Sequence, residues 1–188
     1  MPVLTVSPPT TSPLILTDRS CLTRFGVKGA NAADWLASQG LTIPDRPNSW
    51  CPLPNPSAGI IARLGLSEFL IEDSLSSRLA PQLAMACQTP PAKVYPVLRQ
   101  DLAIALSGPA THELLQQTCN LNFRALILAD RPILLTSLIG VVVTLLPGEH
   151  NGHPFYRLWC DGTFGNYLWQ TLVAIATEFG GTITNVEL

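Results

Sequence analysis

A strand that runs through a glycine straight into a helix, written twice, constrains this chain more than any other feature. The first copy is Phe25 to Leu36, FGVKGANAADWL, and the second is Ile104 to Leu115, IALSGPATHELL. The copies align at one offset, 79 residues (104 minus 25), which pairs Gly29 with Gly108, Asp34 with Glu113, Trp35 with Leu114 and Leu36 with Leu115. A true repeat carries its neighbours along at nearly the same offset. Gly59 opens GIIARLGLSEFLIED and Gly140 opens GVVVTLLPGEHNGHPFYRLWCD, 81 residues apart (140 minus 59), and each reads as strand, turn, strand ending on an acidic residue. Helix candidates follow at Ser74 to Cys87 and Gly162 to Phe179. The expectation is an α+β fold, internally duplicated, built from two β-α-β-β-α units.

At 188 residues and 47% hydrophobic content, two units of this size share a core more readily than they stand alone. The expected division is an arm over 1–13, disordered because Pro2, Pro8, Pro9 and Pro13 leave little to bury, then one duplicated domain over 14–188, with halves about 14–89 and 93–188. Charged residues make up only 13%, about half the usual ~25% of a soluble domain. So apolar surface is left that calls for a partner subunit or closes a homodimer. A net charge of −2 without a basic cluster excludes a nucleic-acid binder. The five cysteines, with no CxxC, form neither a zinc site nor a disulfide framework and point to a reducing compartment. The N-terminus lacks the charged start and apolar run of a signal peptide, and the longest apolar stretch, Ile133 to Leu146, is too short and interrupted to span a membrane. A cytoplasmic protein is expected.

Along the chain, helix Ala30 to Gln39 is closed by Gly40, and Pro44, Pro47, Pro52, Pro54 and Pro56 force a long irregular connection over 43–58. That loop lays Trp50 against the body of the fold, or carries function. Strands are expected at Gly59 to Leu64 and Glu68 to Glu72, and Pro81 requires the next helix to break or to begin after Ser74. Val94 to Leu98 starts the second copy, which continues through strand Leu102 to Leu106, helix Thr111 to Thr118, an excursion over 120–131, strand residues within Ile133 to Leu146, a polar turn over Gly148 to Pro154, return strand Phe155 to Cys160, and a closing strand Thr182 to Val186.

Few residues carry chemistry. Amides at the Gly29 and Gly108 turns are able to hold an anion, but a tight strand-to-helix turn alone accounts for both glycines, and neither copy completes a phosphate-binding fingerprint. His150, His153 and Glu149 sit close together without a fourth ligand, so no metal site is expected. Arg24, Arg63 and Arg157 lie on predicted strands, where a guanidinium must reach solvent or find a carboxylate; pairing within the fold is the plain reading, and contact with a ligand or a partner's acid is the sharper one. Trp50, Trp159 and Trp169 are either core residues or interface anchors. Three histidines, two of them in one turn, give no nucleophilic triad and no catalytic residue is assigned.

RFGVKGANAADWL, ARLGLSEFLIED, LSGPATHELL and WCDGTFGNYLW, in that order and spacing, resemble the gamma subunit family of sarcosine oxidase, within the folate-binding fold of the glycine-cleavage aminomethyltransferases. The resemblance spans about 14–181. It implies a folate-binding fold and a place in one-carbon metabolism. In the aminomethyltransferases an acidic pair precedes the strand matching Ile60 to Leu64, where a carboxylate positions and activates the substrate amine. This chain has Ser57 and Ala58 there, which supply neither a base nor a counter-charge. The family's second folate-contacting stretch survives only as Gly148 and Glu149. Folate enzymes of the family carry further C-terminal domains, whereas this chain stops at Leu188. The resemblance therefore implies a non-catalytic accessory subunit that binds no cofactor alone and supports a larger flavoprotein, with the flavin on that partner. The alternatives are a stand-alone protein that holds tetrahydrofolate, with Arg63 and Glu149 as contacts and Glu68 as a further charge, or an interaction or assembly factor that keeps only the fold.

Overall fold

The computed structural model describes residues 12–54 and 59–186. The arm expected over 1–13 lies almost wholly outside the described residues, and so do Ser57 and Ala58.

Strand β1 (Ile15–Asp18) precedes β2 (Arg24–Lys28), which passes through Gly29 into helix α1 (Ala32–Ser38). There follow β3 (Ser49–Pro52), β4 (Ile60–Arg63), β5 (Glu68–Glu72), α2 (Leu79–Ala86) and β6 (Tyr95–Val97). The second series is β7 (Leu102–Ser107), α3 (Thr111–Thr118), β8 (Leu134–Leu138), β9 (Val141–His150), β10 (His153–Cys160), α4 (Gly165–Glu178) and β11 (Thr182–Asn185). One sheet runs β3-β4-β5-β2-β6 and the other β11-β1-β7-β10-β9-β8.

Strand alternation divides the side chains among three apolar clusters. Phe25, Val27, Ile61, Phe69 and Ile71 turn outward from the first sheet onto Ala32, Trp35 and Leu36 of α1 and Ala80 and Leu83 of α2. Ile104, Leu106, Val143, Leu145, Tyr156 and Leu158 turn outward from the second onto Leu114 and Leu115 of α3 and Leu168, Leu172 and Ala176 of α4. Their neighbours point inward, where Ile60, Ala62 and Leu70 meet Ala103, Leu146 and Trp159. The result is four layers: helices, sheet, sheet, helices. Burial on both faces explains why IIAR and FLIE read as continuous apolar runs instead of alternating ones.

The repeated glycines owe their identity to crowding. Gly29 has φ +126°, and a Cβ there would lie 2.1 Å from the Lys93 carbonyl; Gly108 has φ +112°, and its Cβ would lie 2.7 Å from the Pro13 carbonyl. Both amides are already used, Gly29 donating to Ser67 O at 2.9 Å and Gly108 to Pro154 O at 3.3 Å. The turn reading of these glycines therefore holds over the anion reading.

Several expectations need correction. The connection over 43–58 contains an edge strand, β3, paired antiparallel with β4; its proline, Pro52, closes an outer strand, where a missing donor costs no ladder bond. Each series thus carries three strands between its helices, not two. Helix α2 begins at Leu79, which puts Pro81 in the first turn, where its absent N–H has no partner to lose. The hairpin β9–β10 extends through the expected polar turn, because Asn151 (φ +52°) and Gly152 (φ +77°) supply the two left-handed residues of a two-residue turn. Two strands also cross the seam expected near 89–93. β1 pairs with β7 and β11 in the second sheet, while β6 pairs with β2 in the first.

Candidate functional site

Where the two sheets face each other, β5 ends on a carboxylate that no solvent reaches. Glu72 is 1% exposed. Its cross-strand register partner is Arg24 on β2, whose Nη1 lies 3.7 Å from Oε2. The second sheet sends down Arg157 from β10, with Nη1 3.3 Å from Oε1, and Trp159, whose indole Nε1 donates to Oε2 at 2.5 Å. Arg19, just past β1, approaches Oε1 at 3.6 Å. Arg24 also donates to the carbonyls of Ser20 and Asp101, at 3.1 and 3.0 Å, which fixes its plane. A buried carboxylate is tolerable only when paired and hydrogen-bonded in this way. Burial, and then the neighbouring Arg19, push the Arg157 guanidinium below its ordinary value, against the opposing pull of Glu72.

Arg19 and Arg157 face a cleft of about 770 Å³ that opens between the sheets. Ile60 and Leu146 form its inner wall, Phe155 and Trp50 its sides, and Arg131, Glu149 and His150 stand toward its mouth. Arg131 lies 5.7 Å over the Trp50 ring and Arg157 5.9 Å from the Phe155 ring, spacings at which a guanidinium is attracted by an aromatic face. The opposite end of the sheet interface holds a smaller groove of about 330 Å³ that includes Asp101. Burial raises the Asp101 carboxyl above its ordinary value, opposed by Arg99 and Arg24.

Of the residues singled out in the sequence, Glu149 and Trp50 line the cleft. Arg63 does not. Its Nη1 donates to the carbonyls of Pro44 and Asp45, its Nη2 to Leu66 and its Nε to Gly65, so it ties the proline-rich loop to the β4–β5 turn. Trp159 is 3% exposed and spent on Glu72, which makes it a core residue and not an interface anchor. Trp169 is half-buried against the α4 cluster. His150 and His153 face each other across the tip of the β9–β10 hairpin, and among the described residues no group of three metal-ligating side chains assembles. Arg24 and Arg157 follow the plain reading of pairing within the fold. Sequence reasoning missed Glu72, Arg19, Arg131 and Phe155. The available signal was the position of Glu72: an acid closing an otherwise apolar strand whose neighbours carry arginines.

No family model matches the chain, and no curated protein matches its sequence. Solved structures do match. A chain of the heterotetrameric sarcosine oxidase from Corynebacterium sp. U-96, in complex with pyrrole 2-carboxylate, superposes with a TM-score of 0.67 at 21% identity, over 90% of this chain and 86% of that one. The glycine cleavage system aminomethyltransferase T from Bartonella henselae gives 0.65 at 15% identity, over 94% of this chain and 48% of that one. The chain has the aminomethyltransferase-like fold. At these identities the likeness concerns the fold, and the chain spans about half of aminomethyltransferase T. Within this aminomethyltransferase-like fold, among the described residues, no helix is long and apolar enough to cross a membrane.

Proposed function

We propose that the chain is a non-catalytic accessory subunit, resembling sarcosine oxidase gamma, of a flavin-dependent oxidoreductase acting in one-carbon demethylation. The observation that carries this reading is the commitment of Glu72. This carboxylate, buried between the sheets behind Arg19 and Arg157, is held by three guanidinium groups and an indole N–H, so its oxygens are not free to position a substrate amine. The carboxylate that lines the cleft, Glu149, is exposed on the hairpin. Two further features support the reading. The overlay with a chain of a heterotetrameric oxidase is nearly length for length. Large apolar side chains also stand in water, with Leu66 and Leu98 each 81% and Val142 74% exposed, as suits a subunit that a flavoprotein covers.

The test is affinity purification of the full chain at native expression level, with flavin absorbance and protein composition read in the eluate. A stoichiometric flavoprotein is the expected result. A monomer or homodimer without flavin, together with tetrahydrofolate-dependent one-carbon transfer by the isolated chain, would overturn the reading in favour of a stand-alone folate protein.

A further inference from the structure

The sandwich is left unfinished at one corner. Residues 142, 144 and 146 of β9 share the face that turns toward the first sheet, yet Leu146 is 3% exposed, Thr144 is half-buried and Val142 is 74% exposed. On β8 the same face carries Leu135 and Ser137, in register with Thr144 and Val142, and both are exposed. The first sheet therefore stops short of the outer end of the second. β8 is also the last strand of its sheet: past Ile133, which donates to Asn48 O, its free side meets no strand among the described residues. Its sequence, LLTSL, has no charge or proline of the kind that guards an exposed edge.

The groove of about 330 Å³ at this corner runs from Val142 and Thr144 to the exposed Phe164 and to Asp101 and Asp161. Its charges are one-sided. The cation of the groove, Arg99, is bound by Glu68 at 2.7 Å, whereas Asp101 and Asp161 form no ion pair among the described residues. Arg24, which also lies in the field of Asp101, is held by Glu72. An apolar floor that ends in unpaired carboxylates is complementary to apolar side chains grouped about a cation. We propose, resting on the subunit reading, that this corner is the face the flavoprotein partner covers, with an apolar segment laid on Leu135, Val142 and Phe164 and a lysine or arginine brought against Asp161.

The co-purified flavoprotein is titrated against the full chain and three variants, each first checked for folding by circular dichroism. Val142→Glu puts a charge on the open floor. Asp161→Asn removes a charge while its Oδ1 still accepts from Thr163. Met85→Glu makes a like change at an apolar residue 70% exposed on α2, in the outer layer. Val142→Glu should weaken binding at least about tenfold, Asp161→Asn a few-fold with a smaller dependence on salt, and Met85→Glu not at all. If Val142→Glu does not fold, Leu135→Glu takes its place. Unaltered affinity in the floor variant, an equal loss in Met85→Glu, or an unchanged salt dependence in Asp161→Asn overturns the proposal. So does a homodimer that Val142→Glu splits, seen by light scattering, which would give the face to a second copy. A flavoprotein that binds every variant alike sinks the face and spares the subunit reading. A partner without flavin whose affinity follows the variants sustains the face and sinks the subunit reading, and no partner at all sinks both.

Discussion

Replacing Glu72 by Gln keeps the shape of the side chain and removes its charge, which makes it the sharpest perturbation this structure offers. Three guanidinium groups would then lose the charge of Glu72, and the Trp159 N–H would donate to a neutral oxygen. Breaking a buried ion pair from one side costs about 3 to 5 kcal/mol. Arg19 and Arg157 keep 19% and 18% of their side chains exposed and regain some solvation through the cleft, whereas Arg24 at 5% does not. The expected loss therefore lies toward the lower end, about 3 kcal/mol. With a urea dependence of about 2 kcal/mol per molar, the unfolding midpoint should fall by about 1.5 M. Adding Arg24→Gln to Glu72→Gln should cost less than the sum of the two single changes, since the second removes a charge that the first has stranded. A Glu72→Gln midpoint within about 0.5 M of the unaltered protein would refute the reasoning, and would mean that water compensates the cluster from the cleft side.

Gly29→Ala should lower the melting temperature well beyond Gly40→Ala. Both glycines have positive φ, but an added Cβ at Gly29 meets the Lys93 carbonyl at 2.1 Å while at Gly40 it meets nothing within 4 Å; equal melting shifts would deny the close approach. Burial pushes the Tyr156 hydroxyl up to about 12 from 10.0, so the stability it confers is full below pH 10 and is lost as pH rises toward 12. Tyr156→Phe should flatten that alkaline decline in denaturation measured across the range. Asp101 is also raised, from 3.8, so its contribution is present in acid and is lost as pH rises through its folded value. Asp101→Asn should remove that loss, and urea midpoints of the two proteins that kept a constant gap from pH 4 to pH 7 would contradict the assignment.

The strand–glycine–helix units were legible because a glycine with φ above +100° pressed by a crossing chain is a local demand, written in a few adjacent residues. The same holds for the Asn151-Gly152 turn, although its strands ran further than the polar residues around it suggested. β3 was hidden because Pro52, and the prolines of the surrounding loop, argue against sheet unless the strand is known to lie at an edge, and edges are set by tertiary pairing. The cleft was less legible. Arg63, Arg24 and Arg157 look alike in sequence, each an arginine on a strand, yet the first is consumed by loop carbonyls and the other two by Glu72. That difference depends on which face of which sheet meets the other, which neither periodicity nor composition encodes. Trp50 and Glu149 reached the cleft, while Phe155 and Arg131 came from segments read only as strand and connection.

The placement of β1 governs how the chain can be born. Residues 15–18 lie between β7 and β11, so the first described strand is completed only by residues 102–107 and 182–185. On a ribosome adding about 5 to 20 residues per second, that strand waits from several seconds to about half a minute for both neighbours, its backbone not yet paired on both sides. By contrast β2, β4 and β5 come together within about fifty residues, and the first sheet can assemble while the second is still being made. Nascent chains halted before residue 182 would carry a formed first sheet and a second one open at β1, and would be the species most prone to capture by chaperones or to self-association.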